Sequence, residues 1–334
     1  MNIKQFKKHN IGICGCGYWG TNIIKSLEEE KFENIHVFDY DKKKLLIAKK
    51  KFPFIKICKN FDDFLLKQLY CVLLVTPSNT HFSLAKKILK KNINLFIEKP
   101  STLKSSDLNK LIKISEKKRL TLMSGYIYLY NTYVEYIKKI IKSKKLGEIK
   151  YMYFERSNLG PIRNDTSCLY DLASHDLSTS LYLLGTIPKI SYVKTYNFLK
   201  KNLYDISSVG LDFKKVKVEI KSSWINPEKI RKIIIIGTKK MLQFDEMDKH
   251  NKIKIYNKYA SYPDIKDFKK SFFTPKANIY LGKTFAPKIK FLSPMKKELE
   301  HFFNAVKSKK TPLSSGRYAL KILKLLEKIK NKIN

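Results

Sequence analysis

Asp171 and His175 stand four residues apart in the run Asp171-Leu172-Ala173-Ser174-His175-Asp176. On a helix that spacing puts a carboxylate and an imidazole on one face. A carboxylate that holds an imidazole fixes its tautomer and strengthens it as a base. Such a pair suits the removal of a proton from a hydroxyl, and the same spacing also describes an ordinary surface charge pair. Metal binding is a third use, but no further ligand sits at diagnostic spacing, so no metal is expected. A second group is Glu98-Lys99-Pro100, at the end of the apolar run Asn92–Glu98. Ligands of open α/β sheets bind outside the carboxyl ends of strands. A lysine there can donate to a cofactor ribose and to a substrate hydroxyl, with Glu98 holding the ammonium and Pro100 fixing the backbone. The bland reading is a surface lysine beside a helix-starting proline.

The third group is the loop in IGICGCGYWG, Ile11 to Gly20. Gly15, Gly17 and Gly20 stand in G-x-G-x-x-G register, with Tyr18 and Trp19 between the last two. Gly15 permits a sharp turn out of a strand, Gly17 lets backbone N–H groups approach a pyrophosphate, and Gly20 lets the following helix pack closely. The helix N-terminus offers unpaired N–H donors and partial positive charge to the phosphates. A second strand over Asn34–Phe38 ends in Asp39, 19 residues past Gly20. An acid at about that distance binds a ribose 2′-hydroxyl and repels a 2′-phosphate, which favours NAD over NADP. Thr76, Pro77, Asn79 and His81 of the run TPSNTH follow another apolar strand and are candidates to line the same cleft, His81 in a structural capacity.

The elements that must position these groups alternate. Residues 1 to 124 read as repeated strand–helix units: helices over Lys42–Lys51, Asp62–Lys67, Ser83–Lys90 and Ser106–Lys118, a buried strand over Cys71–Pro77, and further strands over Phe54–Cys58, Asn92–Glu98 and Leu120–Ser124. That pattern is a doubly wound parallel sheet of Rossmann type. Beyond it come a helix at Tyr133–Ser143, a strand at Lys150–Ser157 and a long amphipathic helix at Leu169–Leu184. Period-two segments then run from Ser191 to Tyr256, and residues 258 to 292 are irregular. Helices at Pro294–Ser308 and Ser315–Lys330 close the chain. The expected class is α/β, with an N-terminal Rossmann domain (1–124) and a C-terminal α+β domain (125–334) on an open, largely antiparallel sheet.

The 334 residues carry a net charge of +39, almost all of it lysine, with arginine only at 119, 156, 163, 231 and 317. Nucleic-acid surfaces favour arginine's planar fork. The lysines spread along every segment, which reads as a solvated coat and not as a nucleic-acid patch. Cys14, Cys16, Cys58, Cys71 and Cys168 have no framework spacing and read as reduced, buried thiols of a cytoplasmic protein. The basic N-terminus lacks a continuous apolar core and is not read as a leader. No apolar run approaches the roughly 18 residues of a membrane span.

GCGYWG, TPSNTH, EKP and DLASHD, in that order, resemble the glucose–fructose oxidoreductase / inositol dehydrogenase (Gfo/Idh/MocA) family over essentially the whole chain. The resemblance implies hydride transfer between a nicotinamide and a sugar-like secondary alcohol. It assigns Lys99 to cofactor and substrate, His175 to acid/base work and Asp171 to orienting it. It also implies homodimers or homotetramers. SNLGPIR (157–163), CLYDLASHDLSTSLYLLG (168–185) and SSWINPEKIRKIIIIGTKKMLQFD (222–245) look like nucleotide-sugar dehydrogenases. Those oxidise the 3-hydroxyl of a UDP-N-acetylhexosamine or its uronate, and Arg163 is then a candidate anion contact. Many relatives carry an Arg-Phe-x-Pro-like run after the last strand of the first domain. Here that segment reads Tyr128-Leu129-Tyr130-Asn131-Thr132, and Asn131 is its candidate substrate contact. Dehydrogenation of a free polyol or inositol, a non-catalytic sensor on the same fold, and nonspecific nucleic-acid binding are the competing readings.

Overall fold

Two four-residue strands without a polar side chain, β1 (Ile11–Cys14) and β4 (Cys71–Leu74), lie side by side in the middle of a six-stranded sheet. Every residue of both is buried, as expected for strands covered on two faces. The computed structural model describes residues 3–163, 166–201, 203–261 and 277–333. The chain divides into two compact units: Met1–Asn131 with Leu292–Glu327, and Thr132–Phe291 with Lys328–Asn334. Most of the two closing helices therefore packs with the first unit, a grouping that one cut after residue 124 does not make. Long-range packing of this kind leaves no mark in local periodicity.

In the first unit, β2 (Ile35–Phe38), β3 (Lys56–Ile57), β5 (Asn94–Glu98) and β6 (Leu122–Gly125) complete the sheet in the order β3-β2-β1-β4-β5-β6. All its pairs are parallel. This is the doubly wound order whose switch point lies between the first and fourth strands. Helices α1 (Tyr18–Glu29), α2 (Lys42–Lys51), α3 (Phe61–Leu65), α4 (Ser78–Lys90) and α5 (Ser105–Lys117) form the crossovers. Asp41 caps α2 by accepting from the amides of Lys43 and Lys44. One expectation is corrected: α4 begins at Ser78, not Ser83, so the SNTH residues form its first turn. Their polar side chains conceal an apolar period that becomes visible only from His81, Leu84, Ala85 and Ile88 onward.

The second unit holds an eight-stranded sheet. Its strands are β7 (Ile149–Leu159), β8 (Lys189–Tyr196), β9 (Ile206–Phe213), β10 (Val216–Ser223), β11 (Ile225–Gly237), β12 (Met241–Asp245), β13 (Ile253–Ser261) and β14 (Asn278–Phe285), in the order β14-β13-β12-β11-β7-β10-β9-β8. β7 pairs parallel with β10, and every other pair is antiparallel. β14 falls inside the stretch read as irregular. It is an edge strand with no buried residue, so it shows no alternation, and the Tyr259–Tyr280 ring stack at 4.2 Å joins it to β13. Helix α6 (Thr132–Lys142) precedes β7. The long helix expected at Leu169–Leu184 is two pieces: a π turn at Leu169–Ala173, then α7 (Ser174–Leu184), stopped by Gly185 at φ 77°. The closing helices are α8 (Pro294–Ser308) and α9 (Gly316–Lys330).

Candidate functional site

In the first unit, four loops meet at the carboxyl edge of the parallel sheet: those after β1, β2, β4 and β5. They carry Gly15–Gly20, Asp39, Thr76–His81 and Glu98–Pro100. Gly15 sits at φ +103°, where only glycine is relaxed, and a Cβ there would meet the Val75–Thr76 backbone at 2.8–2.9 Å. A Cβ on Gly20 would strike the carbonyl of Gly15. Gly17 differs from both. Its φ of −69° suits any residue, and a Cβ there has no protein atom within 4 Å. Neither backbone nor packing demands glycine at 17, and α1 starts there with no side-chain cap. An open, uncapped helix N-terminus with a bare Cα is a cradle that fits a dinucleotide pyrophosphate.

Asp39 braces this loop. Its Oδ2 accepts from the Cys16 amide at 2.8 Å and its Oδ1 from the Asp41 amide at 2.9 Å. A carboxylate has about four acceptor directions, so capacity remains for ribose hydroxyls. Burial, then the adjacent Asp39 charge, pushes the Cys16 thiol up to about 12, which leaves it unreactive. All five cysteines are free and buried. Tyr18 is exposed and Trp19 half-buried at the start of α1, their rings edge to face at 5.6 Å. Thr76 is half-buried, and Pro77 and Asn79 are exposed, on the adjacent loop. His81 is 1% exposed, with one ring nitrogen 2.9 Å from the Pro100 carbonyl and the other 2.7 Å from that of Thr76. Burial holds its imidazole below the usual range. It ties the loop after β4 to the loop after β5 and presents neither nitrogen to a ligand.

Glu98 ends β5 and Lys99 follows it, both half-buried, and the Lys99–Pro100 peptide is cis. Burial pushes the Glu98 carboxyl up to about 7, against the opposing pull of Lys99. Asn131 closes the 3-10 turn Ile127–Tyr130 and is 4% exposed.

In the second unit, the turn and helix bearing Asp171 and His175 are fixed by a different row of residues. Cys168, Leu172 and Asp176 recur every four positions, all buried. Cys168 and Leu172 cluster with Trp224, and the Cys168 thiol lies 3.6 Å from the Ser207 hydroxyl on the sheet. Asp176 receives a two-point hydrogen bond from Arg156 of β7, at 3.0 and 2.8 Å. In a regular α-helix a four-residue spacing drifts by roughly 40° per step. The wider π turn takes up part of that drift, so the anchoring row stays on the sheet. Asp171 and His175, at the same spacing, fall on the neighbouring row and are half-buried. Asp171 lies in the π turn and His175 in the first turn of α7. Arg163 Nη1 stands 3.8 Å from Asp171 Oδ1.

A cavity of about 390 Å³ lies elsewhere, near Arg119 and Arg317 in the first unit, and involves none of these residues. A cavity of about 340 Å³ does adjoin Asp171, lined also by Asn158, Trp224, Lys229 and Arg231. Arg231 donates to the carbonyl of Ser157 and to Asn158. Sequence reasoning gave no site role to Arg156, Trp224 or Arg231, because the sheet that carries them is remote in sequence from the Asp171–Asp176 segment. The SSWINPEKIR run was the available signal. Among the described residues, no group of three His, Cys, Asp or Glu side chains could hold a metal ion, and no helix is long and apolar enough to cross a membrane.

Several known proteins are similar to this chain. A UDP-N-acetylglucosamine 3-dehydrogenase from Acidithiobacillus ferrooxidans is 27% identical over 171 residues, 50% of this chain and 49% of that protein. The chain thus aligns with about half the length of that relative. A 2,7-anhydro-N-acetylneuraminate hydratase from Escherichia coli is 26% identical over 275 residues, 74% of this chain and 70% of that one. A solved structure of the Acidithiobacillus dehydrogenase shares the fold with a TM-score of 0.79 at 18% identity, covering 98% of both chains. The family model "Oxidoreductase family, NAD-binding Rossmann fold" matches residues 9–126, and that of the GFO/IDH/MocA C-terminal domain matches residues 134–243. With both halves matched, the chain belongs to the GFO/IDH/MocA oxidoreductase family.

Proposed function

We propose that the protein is an NAD-dependent dehydrogenase of a secondary sugar hydroxyl, with the 3-hydroxyl of a UDP-N-acetylhexosamine or its uronate as substrate. The observation that carries this reading is the register of Cys168–Asp176. One row of that segment is buried on the sheet, and the row bearing Asp171 and His175 is left half-buried. A base and its orienting carboxylate are thereby held by groups that do no chemistry themselves.

NAD, when bound, supplies the hydride acceptor. Gly17, the α1 N-terminus and Asp39 hold it, with Tyr18, Trp19, Thr76, Pro77 and Asn79 along the same edge. His175 takes the proton from the substrate hydroxyl at a ring nitrogen, and Asp171 stabilises the imidazolium that forms. Lys99 donates a charge-assisted hydrogen bond to the hydroxyl oxygen as negative charge develops on it. Arg163 and Asn131 contact the substrate. The nucleotide-sugar assignment draws on the Acidithiobacillus relative and on the cationic Arg163 beside Asp171.

The test is mass spectrometry of a nucleotide-sugar and free-polyol panel incubated with protein and NAD, with 2-oxoglutarate added to recycle any retained NADH. Loss of two hydrogens from a UDP-N-acetylhexosamine supports the proposal and names the substrate. Gain of water would move the reading toward the net chemistry named for the Escherichia relative. Oxidation of a free polyol alone, or no turnover with NADH still bound, would replace it with a polyol dehydrogenase or a sensor.

A further inference from the structure

Glu298 is among the buried acids that the mechanism leaves unused. Glu298, on α8, is 2% exposed, and its Oε1 faces no hydrogen-bond donor. The packing shows what it faces instead. The rings of Phe96 on β5 and Phe302 on α8 meet edge to face at 5.7 Å. Two residues along a strand and four along a helix are each a step of roughly 6 Å on one face. Glu98 lies one such step from Phe96 and Glu298 one such step from Phe302, and the Glu98 charge acts on Glu298, so the two carboxyls are neighbours in this packed layer. Gly125, paired with Glu98 across β5 and β6, leaves the space that the Glu98 carboxyl fills, since a Cβ there would strike it. Tyr126, next in the chain, is 4% exposed and feels the Glu98 charge. The ionisable groups felt within this nest are Glu98, Lys99, Tyr126 and Glu298.

We propose that Glu298 is a positioning residue for Lys99: its carboxyl keeps its proton through pH 8, so when the pair ionises the negative charge falls on Glu98, the residue preceding Lys99. Two carboxylates cannot both ionise cheaply in one dry site. Burial and then the Glu98 charge hold the Glu298 carboxyl well above its ordinary range, while Lys99 pulls Glu98 back toward ionisation. One anion then stays seated over Gly125 and fixes the backbone from which the Lys99 side chain leaves. Two anions would push Glu98 out of that seat. The importance of Lys99 rests on the function proposed above. The protonation of Glu298 does not, and the experiment reads the two separately.

Infrared titration of the full chain is compared for the wild type, Glu298→Gln and Glu298→Leu. A carboxylic-acid C=O band persisting at pH 8 in the wild type and missing from Glu298→Gln is the expected result. Acylation of Lys99, followed by peptide mass spectrometry at pH 8, reads the positioning. Gln supplies a neutral donor of the same shape and retains the wild-type rate, whereas Leu changes it several-fold. Absence of the acid band from the wild type overturns the proposal even if neither variant folds. So does a Lys99 acylation rate equal in all three proteins. Neither readout depends on turnover, so failure to find a sugar substrate would leave them standing.

Discussion

Arg156 holds Asp176 through two parallel hydrogen bonds, Nε to Oδ2 at 3.0 Å and Nη2 to Oδ1 at 2.8 Å, with the residues 5% and 2% exposed. This pair binds the central strand β7 to helix α7 at the residue directly after His175. It lies in the same buried row as Cys168 and Leu172, which fix the π turn. A fork-to-carboxylate contact sets direction as well as distance. It therefore fixes the rotation of α7 about its axis, and with it the line along which the His175 side chain leaves the helix.

Breaking that pair on one side leaves a buried charge without its partner, which costs about 3–5 kcal/mol. Asp176→Asn and Arg156→Met are each expected to lower unfolding free energy by that order in urea. The double replacement Arg156→Met/Asp176→Leu is expected to recover most of it, because two apolar groups leave no charge behind. If the pair also sets the aim of His175, the double variant keeps its stability and still loses kcat. A double variant with wild-type turnover would confine the pair to stability.

Much of the first unit is legible in the sequence because its signals are local. The glycine register, the apolar strand and Asp39 lie within 29 residues, Ile11 to Asp39, and each constrains its own turn. Gly15 and Gly20 are tied to backbone geometry that any reader of the spacing anticipates. The second unit is less legible. β14 has no buried residue to alternate with. The break between the π turn and α7 has no punctuating residue, because it answers to contacts with Trp224 and Arg156 on strands remote in sequence. Glu298 looks like any acid on a lysine-rich helix until the Phe96–Phe302 contact shows which side of α8 is dry.

Two of the loop glycines respond differently to a single methyl group. Gly17→Ala has open space and an allowed backbone, and loss of glycine's unfolded-state freedom is worth about 0.4–1 kcal/mol in its favour. It is expected to fold at least as stably as the wild type and to lose tenfold or more of NADH affinity, about 1.4 kcal/mol. Gly20→Ala meets the Gly15 carbonyl and is expected to lose about 1–3 kcal/mol of stability. Thermal unfolding and NADH fluorescence titration read both. A Gly17→Ala protein that binds NADH at wild-type strength would remove the pyrophosphate from this loop.

Asp39→Asn keeps an acceptor for the Cys16 amide but removes the charge. Hydrogen bonds to charged groups are worth about 1.5–3 kcal/mol, so a fall of roughly 10- to 100-fold in the NAD-to-NADP ratio of kcat/KM is expected. An unchanged ratio would place the ribose elsewhere.

His175→Asn and Lys99→Ala separate acid/base work from cofactor binding. Each is expected to lower kcat by about 10²–10⁴ with NADH affinity held within a few-fold. Equal loss of cofactor affinity in both would count against the assigned roles. Retained turnover in His175→Asn would transfer the base to another residue.

Arg163 distinguishes the substrate classes. Its contact with Asp171 is long, 3.8 Å, and its side chain is 46% exposed, so as a structural ion pair it is worth about 0–1 kcal/mol. Arg163→Ala is therefore expected to leave the unfolding midpoint nearly unmoved. Its cost should appear only with an anionic substrate, where a charge-assisted contact is worth about 1.5–3 kcal/mol, or roughly 10- to 100-fold in KM. Measured side by side on a nucleotide sugar and on the same sugar without its diphosphate, the variant should lose discrimination between the two and keep kcat. An equal penalty on both substrates would mean that Arg163 acts through Asp171, and the nucleotide contact would then have to come from Lys229 and Arg231 across the adjoining cavity.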